Sequence, residues 1–150
     1  MEPPREQEFL MPPILLVEDN PLDVELAMIA FEECGLQRQV IHKSDGHEAL
    51  EYLTHQPGPL PRLVLLDLNM PRVNGFEVLQ AMKQHATYQH VPVVVFTTSE
   101  TDTDRERCYE LGADDFLHKP NNLGDLREIF EALQEKWLSP PAGASTHLAS

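Results

Sequence analysis

Hydrophobic residues are clustered along this chain rather than spread evenly. Three short, dense aliphatic runs stand out: Ile14 to Val17, Leu63 to Leu66 and Val93 to Phe96. Runs this brief and unbroken suit strands buried on both faces, as in a parallel sheet. The segments between them change period. Val24, Ala27, Met28 and Phe31 recur at i, i+3, i+4 and i+7, which marks one face of a helix. Ahead of them, Asn20-Pro21-Leu22-Asp23 reads as an N-cap followed by proline at the first helical position. Asp45 with Glu48 resembles a capping box and predicts a second helix through Leu53. A third begins near Gly75 and turns Phe76, Leu79 and Met82 inward.

Thr101 or Asp102 opens a fourth helix, ending at Leu111-Gly112, whose apolar face is little more than Cys108 and Leu111. The fifth helix carries the clearest stripe: Leu126, Ile129, Phe130, Leu133 and Trp137. Gln39 to His42 and Asp115 to His118 are weaker runs, expected at the sheet edges. Strands and helices therefore alternate strictly, with short loops and no internal repeat. That order predicts an α/β fold, a doubly wound five-stranded parallel sheet flanked by five helices. The core is expected over 13–138. Residues 1–12 are rich in proline and charge, and 139–150 in Pro, Gly, Ala and Ser, so both ends are expected to be flexible.

Composition narrows the function classes. Eleven basic residues against 25 acidic ones give a formal charge of −14, a field that repels phosphate backbones and anionic lipid. Neither nucleic acid nor membrane is an expected partner. The N-terminus lacks a basic start and a hydrophobic signal core, which predicts a cytoplasmic location. Cys34 and Cys108 fall in predicted helices and read as reduced thiols. The seven histidines show no zinc-like spacing.

In an open α/β sheet, ligands bind beyond the carboxyl ends of the strands. At that rim the sequence delivers Glu18-Asp19 after strand 1, Asp67 after strand 3, Thr97-Thr98 at strand 4 and Lys119-Pro120 after strand 5. Each has a bland explanation by itself. Glu18-Asp19-Asn20 caps a helix, Thr97 is a β-branched strand residue, and Lys119 is a solvated edge lysine. Together they form a coherent chemistry. Three carboxylates in one crevice repel unless a cation joins them, and hard oxygen donors favour Mg²⁺. A carboxylate held at such a metal is a plausible nucleophile for an aspartyl-phosphate. Mg²⁺, the Lys119 ammonium and the Thr97 hydroxyl can then each take a phosphoryl oxygen.

The segments LLVEDN, LLDLNMPRVNG, VVVFTTS and GADDFLHKP, with the Ala49-Leu50 region after Asp45-Gly46, resemble a two-component response-regulator receiver domain. The resemblance covers about residues 13 to 138. It implies a flavodoxin-like sheet of order 2-1-3-4-5, and a domain that accepts a phosphoryl group on Asp67 from a sensor histidine kinase. It implies Mg²⁺ held by Asp19, Asp67 and the Asn69 carbonyl, with Glu18 acting mainly through water. Thr97 becomes the switch hydroxyl beside Thr98, Lys119 the phosphate-binding lysine, and the bond before Pro120 is expected to be cis. Phe116 stands where the switch aromatic is often Tyr, and Glu18 where Asp is common. VEDNPLDVELAMIAFEECGL and EKWLSP further resemble the single-domain regulators that serve bacterial phytochrome kinases.

Other functions fit less well. A haloacid-dehalogenase-type phosphatase needs an acid two residues after its nucleophile, where this chain has Asn69. In a flavodoxin, Glu18-Asp19 would repel the flavin phosphate. A receiver-like interaction module that is never phosphorylated is the remaining alternative. The expected domain is a phosphoacceptor rather than an enzyme, with its output through the fourth helix, fifth strand and fifth helix to a downstream protein or phosphotransfer partner. Trp137-Leu138 extend the apolar stripe past what a small sheet covers. A homodimer through that same surface is therefore expected, with Phe130, Trp137 and Leu138 in its interface.

Overall fold

The computed structural model describes residues 12–55, 59–70 and 73–138. Its strands are β1 (Ile14–Val17), β2 (Val40–Lys43), β3 (Leu63–Leu66), β4 (Val93–Thr97) and β5 (Asp115–His118). Its helices are α1 (Pro21–Glu33), α2 (Gly46–His55), α3 (Gly75–Gln84), α4 (Asp102–Glu110) and α5 (Leu123–Leu133). All strand pairs are parallel, in the order β2-β1-β3-β4-β5. The three dense aliphatic runs are the central strands, and the two weaker ones lie at the edges. The chain ends expected to be flexible lie outside the described residues, apart from Pro12.

Period-two alternation splits the core into two layers. Leu15, Val17, Val64, Leu66, Val93 and Val95 face α2, α3 and α4 on one side. Ile14, Leu16, Leu63, Leu65, Val94 and Phe96 face α1 and α5 on the other. Because both faces are covered, the central strands need no polar side and can be aliphatic throughout. On the second face Phe130 stacks on Phe31 at 4.4 Å between centroids and lies 5.8 Å from Phe96.

Local signals set the helix starts. Asn20 accepts from the amides of Leu22 and Asp23 at 2.9 and 3.1 Å, and Pro21 begins α1. Asp45 accepts from the Glu48 amide, while the Glu48 side chain accepts from the amide of Ser44. Asn74 and Glu77 form a full capping box on α3, and Thr101 caps α4. As its sequence implies, α4 buries only Cys108.

Of the expected dimer residues, Phe130 requires correction. Phe130 is 1% exposed and belongs to the core, because its ring fills the space between α1 and β4. After Leu133 the chain continues as a π-helical turn, Gln134–Leu138. Trp137 and Leu138 are partly buried there against the core of their own domain. Part of their apolar surface is thus removed from water without a second chain. The expected cis bond is also corrected. Among the described residues no peptide bond is cis, so Lys119–Pro120 is trans. Trans is the intrinsically favoured isomer.

The β3–α3 connection passes close to its own strand. A Cβ at Gly75 would lie 2.3 Å from the Asp67 carbonyl oxygen and 2.6 Å from the Leu68 Cα, both backbone atoms. Gly75→Ala should therefore displace the loop that carries Asp67 and lower stability by about 1–3 kcal/mol. Urea unfolding measures this. An unchanged midpoint would contradict the close approach.

Candidate functional site

Strand order reverses around β1, whose neighbours are β2 and β3, so the crevice lies beyond the carboxyl ends of β1 and β3. Backbone hydrogen bonds carry the ladders one residue past the strands. The Glu18 amide donates to Lys43 at 3.1 Å, the Asp67 amide to Val17 at 3.1 Å, and the Lys119 amide to Thr97 at 2.8 Å. The three residues with the central charges are therefore fixed by the sheet itself. Glu18 is 3% exposed and Asp67 5%, so both carboxylates sit in the domain rather than on it.

One carboxylate oxygen from each of Glu18, Asp19 and Asp67 lies within 4.8 Å of the others. Oxygen-only donors at this spacing, two of them buried, fit a hard divalent cation better than zinc. The Lys119 ammonium lies 2.5 Å from Glu18 Oε1, 2.9 Å from Asp23 Oδ2 and 3.7 Å from Asp67 Oδ1. Backbone amides of Leu68 and Asn69 donate to Asp67. The Asn69 side chain is exposed, as is Thr98. Thr97 is fully buried, and its Oγ1 accepts from the Ser99 amide at 3.2 Å.

Burial dominates the electrostatics. It pushes Glu18 up to about 7, helped by nearby Asp67 and opposed by the hydrogen bond from Lys119. Burial also raises Asp67, while Lys119 and the two amides pull it down. For Lys119, burial works against the charge, but hydrogen bonds to Glu18 and Asp23 outweigh it and raise the pKa. The pocket is a set of buried anions around one cation, with too few positive charges to satisfy them.

Sequence reasoning placed Glu18, Asp19, Asp67 and Lys119 together, and the structure does the same. Phe116 is already inward, 5% exposed, in the core beside α4. A phenyl ring has no hydroxyl to keep near water, so this position is favoured without phosphate. Two contributors were missed. His42 Nε2 lies 2.8 Å from the Glu18 carbonyl, and Asp23 reaches Lys119 from α1. Asp23 carried a readable signal: it stands four residues before the buried Ala27, on the inward side of its helix.

Comparison with known proteins agrees with this geometry. The family model "Response regulator receiver domain" matches residues 14–131. The probable methanogenesis regulatory protein FilR2 of Methanothrix harundinacea is 44% identical over 128 residues, covering 83% of either chain. The phosphorylated cyanobacterial phytochrome response regulator RcpA has a similar crystal structure, with a TM-score of 0.79, 36% identity, and coverage of 86% of this chain and 95% of that one. The Mn²⁺-bound response regulator Rcp1 gives a TM-score of 0.76 at 37% identity, covering 86% and 98%. The chain belongs to the response regulator receiver domain family. It is a phosphoacceptor domain rather than an enzyme in the usual sense. No helix among the described residues is long and apolar enough to cross a membrane.

The raised Glu18 makes a pH prediction. The folded protein holds a proton on Glu18 up to about 7, whereas the unfolded chain releases it near the ordinary 4.5. In that window the folded state binds more protons, so stability must fall as pH rises through it. Thermal melts of the metal-free protein should therefore drop between about pH 5 and pH 8, and Glu18→Gln should flatten the slope. A metal-free protein that gains stability toward pH 8 would contradict this.

Proposed function

We propose that this domain takes a phosphoryl group on Asp67 from the phosphohistidine of a sensor kinase and passes the signal on by protein contacts. The observation that carries the reading is Asp67 itself, buried at the switch point of the sheet with Glu18 and Asp19 within 4.8 Å and Lys119 at 3.7 Å. Asp67 Oδ attacks phosphorus, the P–N bond breaks, and the electron pair leaves with the imidazole nitrogen. Lys119 is placed to meet the charge on the phosphoryl oxygens, and the Leu68 and Asn69 amides hold the carboxylate in aim. Glu18, Asp19 and Asp67, with the Asn69 carbonyl, would hold Mg²⁺, which when bound neutralises the anionic pocket and the phosphoryl charge.

Output follows from what the phosphoryl group would recruit. Thr97 Oγ1 now accepts from Ser99, and Ser99 Oγ donates to Asp104 in the first turn of α4 at 2.6 Å. Drawing Thr97 toward phosphate breaks the first of these bonds, beside a helix that buries one residue. A cleft of about 350 Å³, bounded by Ser99, Thr101, Arg105, Phe116 and His118, lies against that loop. We assign the output surface to α4, β5 and α5.

The likeness to RcpA supports a phytochrome-class histidine kinase as donor, while the greater identity to FilR2 makes kinase pairing the deciding test. Incubation with acetyl phosphate and Mg²⁺ should add one phosphoryl group by intact-protein mass spectrometry, and Asp67→Asn should abolish the gain. A mutant that still gains it would remove Asp67 as acceptor. A wild type that never gains it would favour an interaction module without phosphorylation. Transfer from a phosphorylated phytochrome kinase should outpace transfer from unrelated kinases, and equal rates would overturn that assignment.

A further inference from the structure

Lys119 is closer to two other carboxylates than to the proposed phosphoacceptor. Its ammonium lies 2.5 Å from Glu18 and 2.9 Å from Asp23, against 3.7 Å from Asp67. Glu18 is part of the acidic triad, but Asp23 stands outside it on another element, the first turn of α1. Its place is well determined. Asn20 caps the Asp23 amide at 3.1 Å, and Pro21 sets the start of the helix.

Asp23 differs from Glu18 in what happens if the lysine leaves. The Glu18 side chain is 4% exposed and would be left buried with only the Asn20 amide as partner, whereas Asp23 is 32% exposed and open to water. Water can take the place of the ammonium at Asp23, and a carboxylate in the first turn is further favoured by the helix dipole. Lys119 can therefore give up Asp23 at low cost, and the Asp23 contact is the one to exchange for a phosphoryl oxygen. We propose that Asp23 is a positioning residue that holds the Lys119 ammonium off Asp67 in the unphosphorylated protein and competes with the phosphoryl group for it. Asp23 thereby sets how strongly the pocket favours its phosphorylated form. The inference rests on the phosphoacceptor reading of Asp67.

The test uses the full chain with Mg²⁺ and beryllofluoride as a non-covalent stand-in for the phosphoryl group. Wild type, Asp23→Asn and Asp23→Glu are compared by calorimetric titration. Asp23→Asn keeps the shape and removes the charge, so affinity should rise roughly five-fold, while Asp23→Glu should stay near wild type. A second readout needs no metal. Freed from one anchor, Lys119 should react faster with an amine-acylating reagent in Asp23→Asn than in wild type or Asp23→Glu, as followed by peptide mass mapping. Unchanged or weaker analogue binding in Asp23→Asn, or unchanged Lys119 labelling, would overturn the proposal. A rise shared by Asp23→Glu would overturn it too, since it would report loosening rather than charge. Failure of the phosphoacceptor reading is distinguishable: wild type would then bind no beryllofluoride, and both inferences would fall.

Discussion

One ammonium ion stands against four carboxylates at the rim of this sheet, and the rest of the site depends on that imbalance. Lys119 contacts Glu18 and Asp23 and faces Asp67, while Asp19 completes the acidic triad. Bringing such groups together is unfavourable in a metal-free protein, because burial penalises each anion and the anions repel one another. The fold imposes it through backbone. Ladder bonds at Glu18, Asp67 and Lys119 continue the sheet past its strands, so the aliphatic core on both faces holds the charges where they would not gather by themselves. Stability of the core is in this sense converted into a poised, cation-seeking pocket.

The same division separates rigid from movable parts. β1, β3 and β4 are buried along their whole length and carry the acceptor. The loop after β4 and helix α4 are held by capping bonds at Ser99, Thr101 and Asp104 and by one buried cysteine. Under the proposed function, a charge change at Asp67 meets its thinnest packing along this loop and helix. Phe116, already buried, is a wall of that region rather than a ring waiting outside it.

Much of this was legible in the sequence. Unbroken aliphatic runs identify central strands because a strand covered on both faces has no solvent side to reserve for polar residues, and Asn20-Pro21 marks a helix start because both residues act within one turn. The triad and Lys119 were readable because parallel strands end at one rim, so three strand ends suffice to locate them. What escaped depends on three-dimensional detail. Phe130 looked like a stripe residue available to a partner, but only packing shows it wedged against Phe31 and Phe96. Trp137 and Leu138 lie in a π-helical turn, partly buried against their own core, a geometry that the helical period does not carry. The isomer at Pro120 is set by a small energy difference that sequence does not carry. Asp23 is easily passed over despite its spacing to Ala27, because an acidic residue in a first helical turn already has a sufficient local reason to be there.

The central claim is that Asp67 is the residue that carries phosphate. An acyl phosphate is reduced by borohydride to an alcohol, so phosphorylated protein treated in this way and mapped by peptide mass spectrometry reveals the acceptor directly. The account predicts homoserine at position 67 and aspartate at positions 19 and 23. Homoserine at another carboxylate, or at none in a protein shown to be phosphorylated, would contradict it.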